Sequence, residues 1–179
     1  RIANGKVLDA EADAMATNEV FEADAAEEAS ASEESAYALA HYESIMSERL
    51  KMGKGAKLTK VHYGYNQHQL DDDSMAEIDN IIALMKQYQS LQIGLVGHTD
   101  SFGGNAYNLK LSQKRAAFVK AYMVARGINP SRLQVRAKGE SDLIVDCHYE
   151  QNCTRYRQSI NRRTELVILN VNESEISGL

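Results

Sequence analysis

A chain of 179 residues, 44% hydrophobic and of net charge −5, is long enough for one sizeable domain plus an extension, and no apolar run approaches the roughly 18 residues of a membrane span. The charge is uneven: residues 1–50 hold 12 acidic and 3 basic side chains, net −9, and the rest is net +4. That remainder favours an anionic partner, but it lacks the dense Lys/Arg cluster with interleaved aromatics that nucleic acid calls for.

The chain begins at Arg1 without an initiator Met or a signal peptide, so it reads as a processed or excised piece. Residues 9–35 are rich in Ala, Glu, Asp and Ser, which favours helix but supplies few large apolar side chains to anchor one. From residue 36 a short amphipathic stripe appears, with Leu39, Tyr42, Ile45, Met46 and Leu50. The Gly-rich break at residues 51–57 lacks GxxxxGK[ST] and reads as a linker, not a phosphate loop.

Residues 58–65 alternate well enough for a strand. Asp71-Asp72-Asp73 reads as a turn into a helix, not a calcium site, with Ser74 as N-cap and Glu77 completing a capping box. That helix runs to about Gln89 and turns Met75, Ile78, Ile81, Ile82 and Met85 to a core. Residues 91–96 form an apolar and therefore central strand, and Gly103 and Gly104 lie in the loop that follows.

The spacing predicts a helix over 108–126, stopped by Gly127 at C′. Leu111, Phe118, Val119 and Tyr122 fall on one side of it, and Arg115 points the same way. An unpaired guanidinium there costs roughly several kcal/mol, so it needs an anionic partner or a polar cleft. Asn108 extends the polar stripe, and Asp100 ends the preceding strand; an acid and an arginine converging on one cleft suit a zwitterion. The alternative is structural, with Arg115 paired to Asp100 or Glu165. His98, two residues before the acid, reads as packed or partly exposed and not as a metal ligand or base.

Residues 133–137 form a third strand, and residues 164–171 a last one after a long polar loop. The loop holds Cys147 and Cys153, whose spacing favours a local disulfide over free thiols or a metal site. The element order is β-α-β-α-β-β: an α/β sandwich with a mixed sheet, helices on one face and an acidic, partly helical extension in front. The divisions are an extension and linker over 1–57, a domain over 58–171 and a tail over 172–179.

Gly97-His98-Thr99-Asp100, Asn108, Leu111-Ser112-x-x-Arg115-Ala116, Gly139-Glu140 and Asn161-Arg162-Arg163-Thr164-Glu165 together resemble the C-terminal OmpA-like domain. Outer-membrane protein A, the Pal lipoproteins and MotB-type stator proteins share that domain. The elements stand in the right order and spacing over about 58–171. Gly139-Glu140 departs from the family in lacking the common proline that follows. The cysteine loop and NRRTE look similar to those of Bacteroidetes members.

The resemblance implies non-covalent binding of peptidoglycan through the diaminopimelate of its stem peptide. It implies that Arg115 forks onto the carboxylate and Asp100 meets the amine, with Thr99 and Asn108 adding polar contacts and Asn161 and Arg162 lining the far wall. Arg163 and Glu165 are expected to pair with neighbours. The expected setting is the periplasm of a Gram-negative envelope, at the outer membrane or cell wall. The acidic extension would be a spacer or a docking element for other envelope proteins. The alternative is a protein–protein assembly module that keeps the fold without depending on the wall. No Ser-His-Asp order, zinc ligand set or suitably isolated carboxylate pair points to an enzyme, and no cofactor or metal is expected.

Overall fold

The most apolar strand lies inside the sheet, bordered on both edges. The computed structural model describes residues 35–147 and 153–178, and the chain divides into two units, Arg1–Ile45 and Met46–Leu179. Helix α1 covers residues 35–52. It is followed by β1 (Lys57–His62), α2 (Asp72–Gln87), β2 (Gln92–His98), α3 (Asn105–Ala125) and a 3-10 turn at Pro130–Arg132. Then come β3 (Leu133–Gly139), α4 (Arg155–Asn161), β4 (Arg163–Asn170) and α5 (Glu173–Ile176). The acidic stretch read as helix-favouring lies, up to residue 34, outside the described residues, as do residues 148–152.

The sheet order is β1-β4-β2-β3. β4 is antiparallel to both β1 and β2, and β2 is parallel to β3. The sheet is therefore mixed, as expected, and β1 runs parallel to β2 with β4 between them. The register of β1 slips at Leu58. That bulge lets both Leu58 and Val61, three residues apart, point inward and lie buried.

One face of the sheet carries Ile93, Leu95, Leu166 and Ile168, all fully buried. α2 covers it with Ile78, Ile81, Ile82 and Met85, and α3 with Ala116, Val119 and Met123. The apolar stripe of α3 is rotated from the expected one. Leu111, Phe118 and Tyr122 are only half-buried, while Ser112, Ala116 and Met123 are enclosed, because small residues let the helix axis approach the sheet. In α1, Met46 and Leu50 are buried, whereas Leu39, expected on the same stripe, is 59% exposed.

The caps explain the remaining boundaries. α2 starts three residues earlier than expected. Asp71 is the N-cap, accepting from Ser74 N–H at 2.9 Å, and hydrogen bonding from the Ser74 side chain, followed by that backbone bond, holds its carboxyl below the usual range. Glu77 instead accepts from Thr59 Oγ1 at 2.6 Å. At the other end of α3, Gly127 (φ +93°) and Ile128 donate to Val124 and Met123, the paired bonds of a Schellman stop. α4 lies in what reads as loop, opened by Thr154 accepting from Arg157 N–H. The tail is tied down by Glu175, which accepts from Ser90 N–H and Oγ.

Candidate functional site

Close approach of α3 to the carboxyl end of β2 builds the site. A Cβ at Gly97 would stand 2.0 Å from the Ser112 carbonyl oxygen, so a strand residue without a side chain is required there. Ser112 Oγ donates to Leu109 O at 2.8 Å and accepts from Gly139 N–H at 3.0 Å. Gly139, at φ +54°, offers its carbonyl to Thr99 N–H at 2.9 Å. These bonds draw the ends of β2 and β3 against the start of α3, and Thr99-Asp100 is held where the three meet.

Arg115 is fully enclosed. Its Nη1 donates to His98 O at 2.7 Å and its Nε to Gln67 O at 2.8 Å. The guanidinium carbon stands 4.8 Å from the centre of the Tyr63 ring, a cation–π contact. Nη2 is buried without a partner among the described residues. The alternative structural pairing with Asp100 or Glu165 is not formed, because Glu165 is held by Lys57 and Arg163, and Asp100 by Arg162. Backbone carbonyls and a ring face disperse the charge instead. Burial lowers the Arg115 pKa to about 10, opposed by Tyr63 and Asp100, and the group remains charged at neutral pH. Tyr63 is itself fixed by a 2.9 Å bond to Thr164 Oγ1, and burial raises its phenol to about 12.

Asp100 is nearly buried. Its Oδ1 accepts from Phe102 N–H at 3.3 Å and its Oδ2 from Arg162 Nη1 at 3.0 Å. Arg162 Nε donates to Tyr63 O at 3.0 Å, so Tyr63 touches both arginines. Asn108 Nδ2 donates to Asp100 O and Glu140 Oε2. Thr99 Oγ1 is buried without a partner. Asp100, Arg115, Thr99, Asn108 and Arg162 thus gather at one end of the sheet.

Asn161 is enclosed and turned to a different task. Its Oδ1 accepts from Ile144 and Val145 N–H, and its Nδ2 donates to Val145 O at 2.8 Å. Both ends of the amide hold the loop after β3. That loop is closed by the Cys147–Cys153 disulfide, with 5.4 Å between the Cα atoms. Ser101 Oγ donates to Cys147 O, and Gln158 Nε2 donates to Ser101 Oγ, so the stapled loop braces the segment beside Asp100. On the sheet face away from α3, Arg163 Nε meets Glu165 Oε1 at 2.7 Å, the neighbour pairing expected. His98 lies on that face fully buried, with neither ring nitrogen hydrogen-bonded. Burial, with Arg163 adding to it, depresses its pKa to about 4. A proton-free ring 3.9 Å from Glu165 is a packing element.

Next to Asp100 and Arg162 opens a pocket of about 490 Å³, lined by Tyr65, Phe102, Arg155, Gln158 and Arg162. Of these, only Arg162 belongs to a motif that the sequence displays. Phe102, two residues beyond the acid, carries a signal in its position, whereas Tyr65 and Gln67 reach the site through a loop whose course the sequence pattern does not encode, and Arg155 opens the short helix α4. No group of three or more His, Cys, Asp or Glu among the described residues is arranged to hold a metal.

The same region is similar to known proteins. It is 36% identical over 105 residues to outer membrane porin F of Pseudomonas fluorescens, which covers 59% of this chain and 31% of the relative. It is 27% identical over 113 residues to a peptidoglycan-associated lipoprotein of Buchnera aphidicola, covering 63% and 62%. The chain spans less than two thirds of the length of these curated relatives. Among solved structures, the peptidoglycan-associated lipoprotein of Burkholderia pseudomallei superposes with a TM-score of 0.56 at 23% identity, covering 61% of this chain and 88% of that one. The C-terminal domain of Helicobacter pylori MotB gives 0.57 at 19%, covering 67% and 90%. At such identities these structures show the fold. The OmpA family profile matches residues 62–157, more than half the chain and the stretch containing Thr99, Asp100, Asn108 and Arg115, and the chain belongs to the OmpA family.

Proposed function

We propose that residues 58–171 bind peptidoglycan non-covalently by gripping the diaminopimelate of its stem peptide, and so tether an envelope assembly to the cell wall. The observation that carries this reading is the unpartnered Nη2 of Arg115. Nε and Nη2 form the edge of a guanidinium that forks a carboxylate side-on. Nη1 is anchored on His98 O, which aims that edge. A carboxylate arriving there replaces the Gln67 carbonyl on Nε and satisfies Nη2 as well, provided the loop bearing Gln67 moves aside. Asp100, linked to the same cluster through Arg162 and Tyr63, meets the amine of the ligand, and Thr99 Oγ1 and Asn108 complete the polar contacts. Similarity to outer-membrane and peptidoglycan-associated proteins supports a place in the periplasm at the outer membrane or wall. The acidic extension then serves as spacer or docking element for other envelope proteins. Such a site holds a ligand and breaks no bond in it.

The test is co-sedimentation with purified sacculi of wild type, Asp100→Asn and Arg115→Lys, each checked for an unchanged thermal transition. Wild type pellets and the folded variants stay in solution. If all three behave alike, Asp100 and Arg115 are not the anchor.

A further inference from the structure

The pocket beside Asp100 carries a charge that the diaminopimelate grip does not use. Among the described residues its walls contain two arginines and no acid. Arg162 is already matched by Asp100 at 3.0 Å. Arg155 is exposed, and no ion pair or hydrogen bond engages its guanidinium among the described residues. Across from the arginines stand Tyr65 and Phe102, 69% and 49% exposed, in an edge-to-face contact with ring centres 6.5 Å apart. Two large rings that touch each other while open to solvent form an apolar surface of the kind that takes a partner. Gln158, nearly buried, is fixed by Ser101 and gives the pocket a rigid floor. A volume of about 490 Å³ suits a ligand of several residues' worth of atoms.

We propose that this pocket is a second subsite, in which Arg155 binds a second carboxylate of the stem peptide and Tyr65 and Phe102 cover an adjacent methyl group. This rests on the diaminopimelate reading and deepens it. The chemistry available one residue along the stem fits. A γ-linked glutamate leaves its α-carboxylate free, and the alanine before it carries a methyl. Arg162 stands in both subsites, paired with Asp100 on one side and lining the pocket on the other, so a continuous peptide spans the two. The pocket therefore reads the amidation state of the glutamate, while the Arg115 edge reads that of diaminopimelate.

Three probes separate the two subsites by titration calorimetry: diaminopimelate alone, the tripeptide Ala-γ-Glu-diaminopimelate, and the same tripeptide with its glutamate carboxyl amidated. Wild type binds the free-acid tripeptide about tenfold more tightly than its amidated form, the usual effect of one charge-assisted contact, and binds diaminopimelate alone more weakly than either tripeptide. In Arg155→Gln that advantage disappears while the affinity for diaminopimelate alone is unchanged. Tyr65→Ala weakens both tripeptides alike. If amidation costs wild type nothing, or Arg155→Gln keeps the advantage, the second subsite is overturned and the diaminopimelate grip stands. If no probe binds wild type, both readings fall.

Discussion

Gln67, on an exposed loop, places its backbone carbonyl 2.8 Å from Arg115 Nε and so occupies half of a guanidinium edge whose other half, Nη2, has no partner. The chain supplies one of the two oxygens that a carboxylate would bring. The unliganded site is self-capped, and the ligand must displace the cap.

The cap is latched from α3. Tyr107 Oη donates to Asn66 Oδ1, and Asn66 sits at φ +55° next to Gln67. An exposed hydrogen bond of this kind contributes about 0.5–1 kcal/mol to the closed loop. Tyr107→Phe removes it and leaves Arg115 untouched, so diaminopimelate affinity rises about two- to fivefold by calorimetry. An unchanged affinity would mean that the loop does not limit access.

Gly97→Ala tests the close approach that builds the site. The added methyl meets the backbone oxygen of Ser112 at 2.0 Å, and no side chain is free to yield. Either the strand or α3 must shift, with a loss of about 2–4 kcal/mol in urea unfolding. An unaltered midpoint would show that the helix does not rest on this strand.

His98 makes stability depend on pH. Its folded pKa is about 4 against an ordinary 6.5, so the unfolded chain takes up a proton that the folded one refuses. The sign is therefore a loss of stability as pH falls from about 6.5 toward 4, by up to about 3 kcal/mol. Above that window the contribution is fully present. Replacing His98 by Gln flattens this part of the stability profile, measured by urea unfolding at pH 4.5 and 7.

The disulfide closes a short loop, with a sequence separation of 6. Chain entropy assigns such a closure about 2 kcal/mol. The double variant Cys147→Ser, Cys153→Ser unfolds at correspondingly lower urea. Because Ser101 Oγ bonds to Cys147 O, amide exchange also quickens at Ser101 and Phe102. Unchanged exchange there would separate the staple from the site.

Continuous apolar content identified the central strand, and periodicity the α2 core face and the charged position on α3, because each is a pattern that a buried element must show. Ile78, Ile81, Ile82 and Met85 are buried as the 3.6-residue pattern requires. Gly127 stops α3 through a positive φ that its sequence context announces. The N-cap of α2 was misplaced because Asp71 and Ser74 are both good caps and only the hydrogen bond distinguishes them. α4 was missed because seven residues are too few to display a period.

Residue order alone marks the charges that need an explanation: Arg115 on a buried face, Asp100 at a strand end, and an Asn-Arg-Arg entering the last strand. Which charges meet was decided by tertiary structure. Asp100 took Arg162 and not Arg115, and Asn161 turned to the loop, since pairing depends on where strands 62 residues apart come together. The Gln67 cap lies on a loop and Arg155 opens a helix of seven residues, and neither follows a repeat long enough to read. Only the folded sheet, by bringing those segments to the carboxyl end of β2, makes them part of the site.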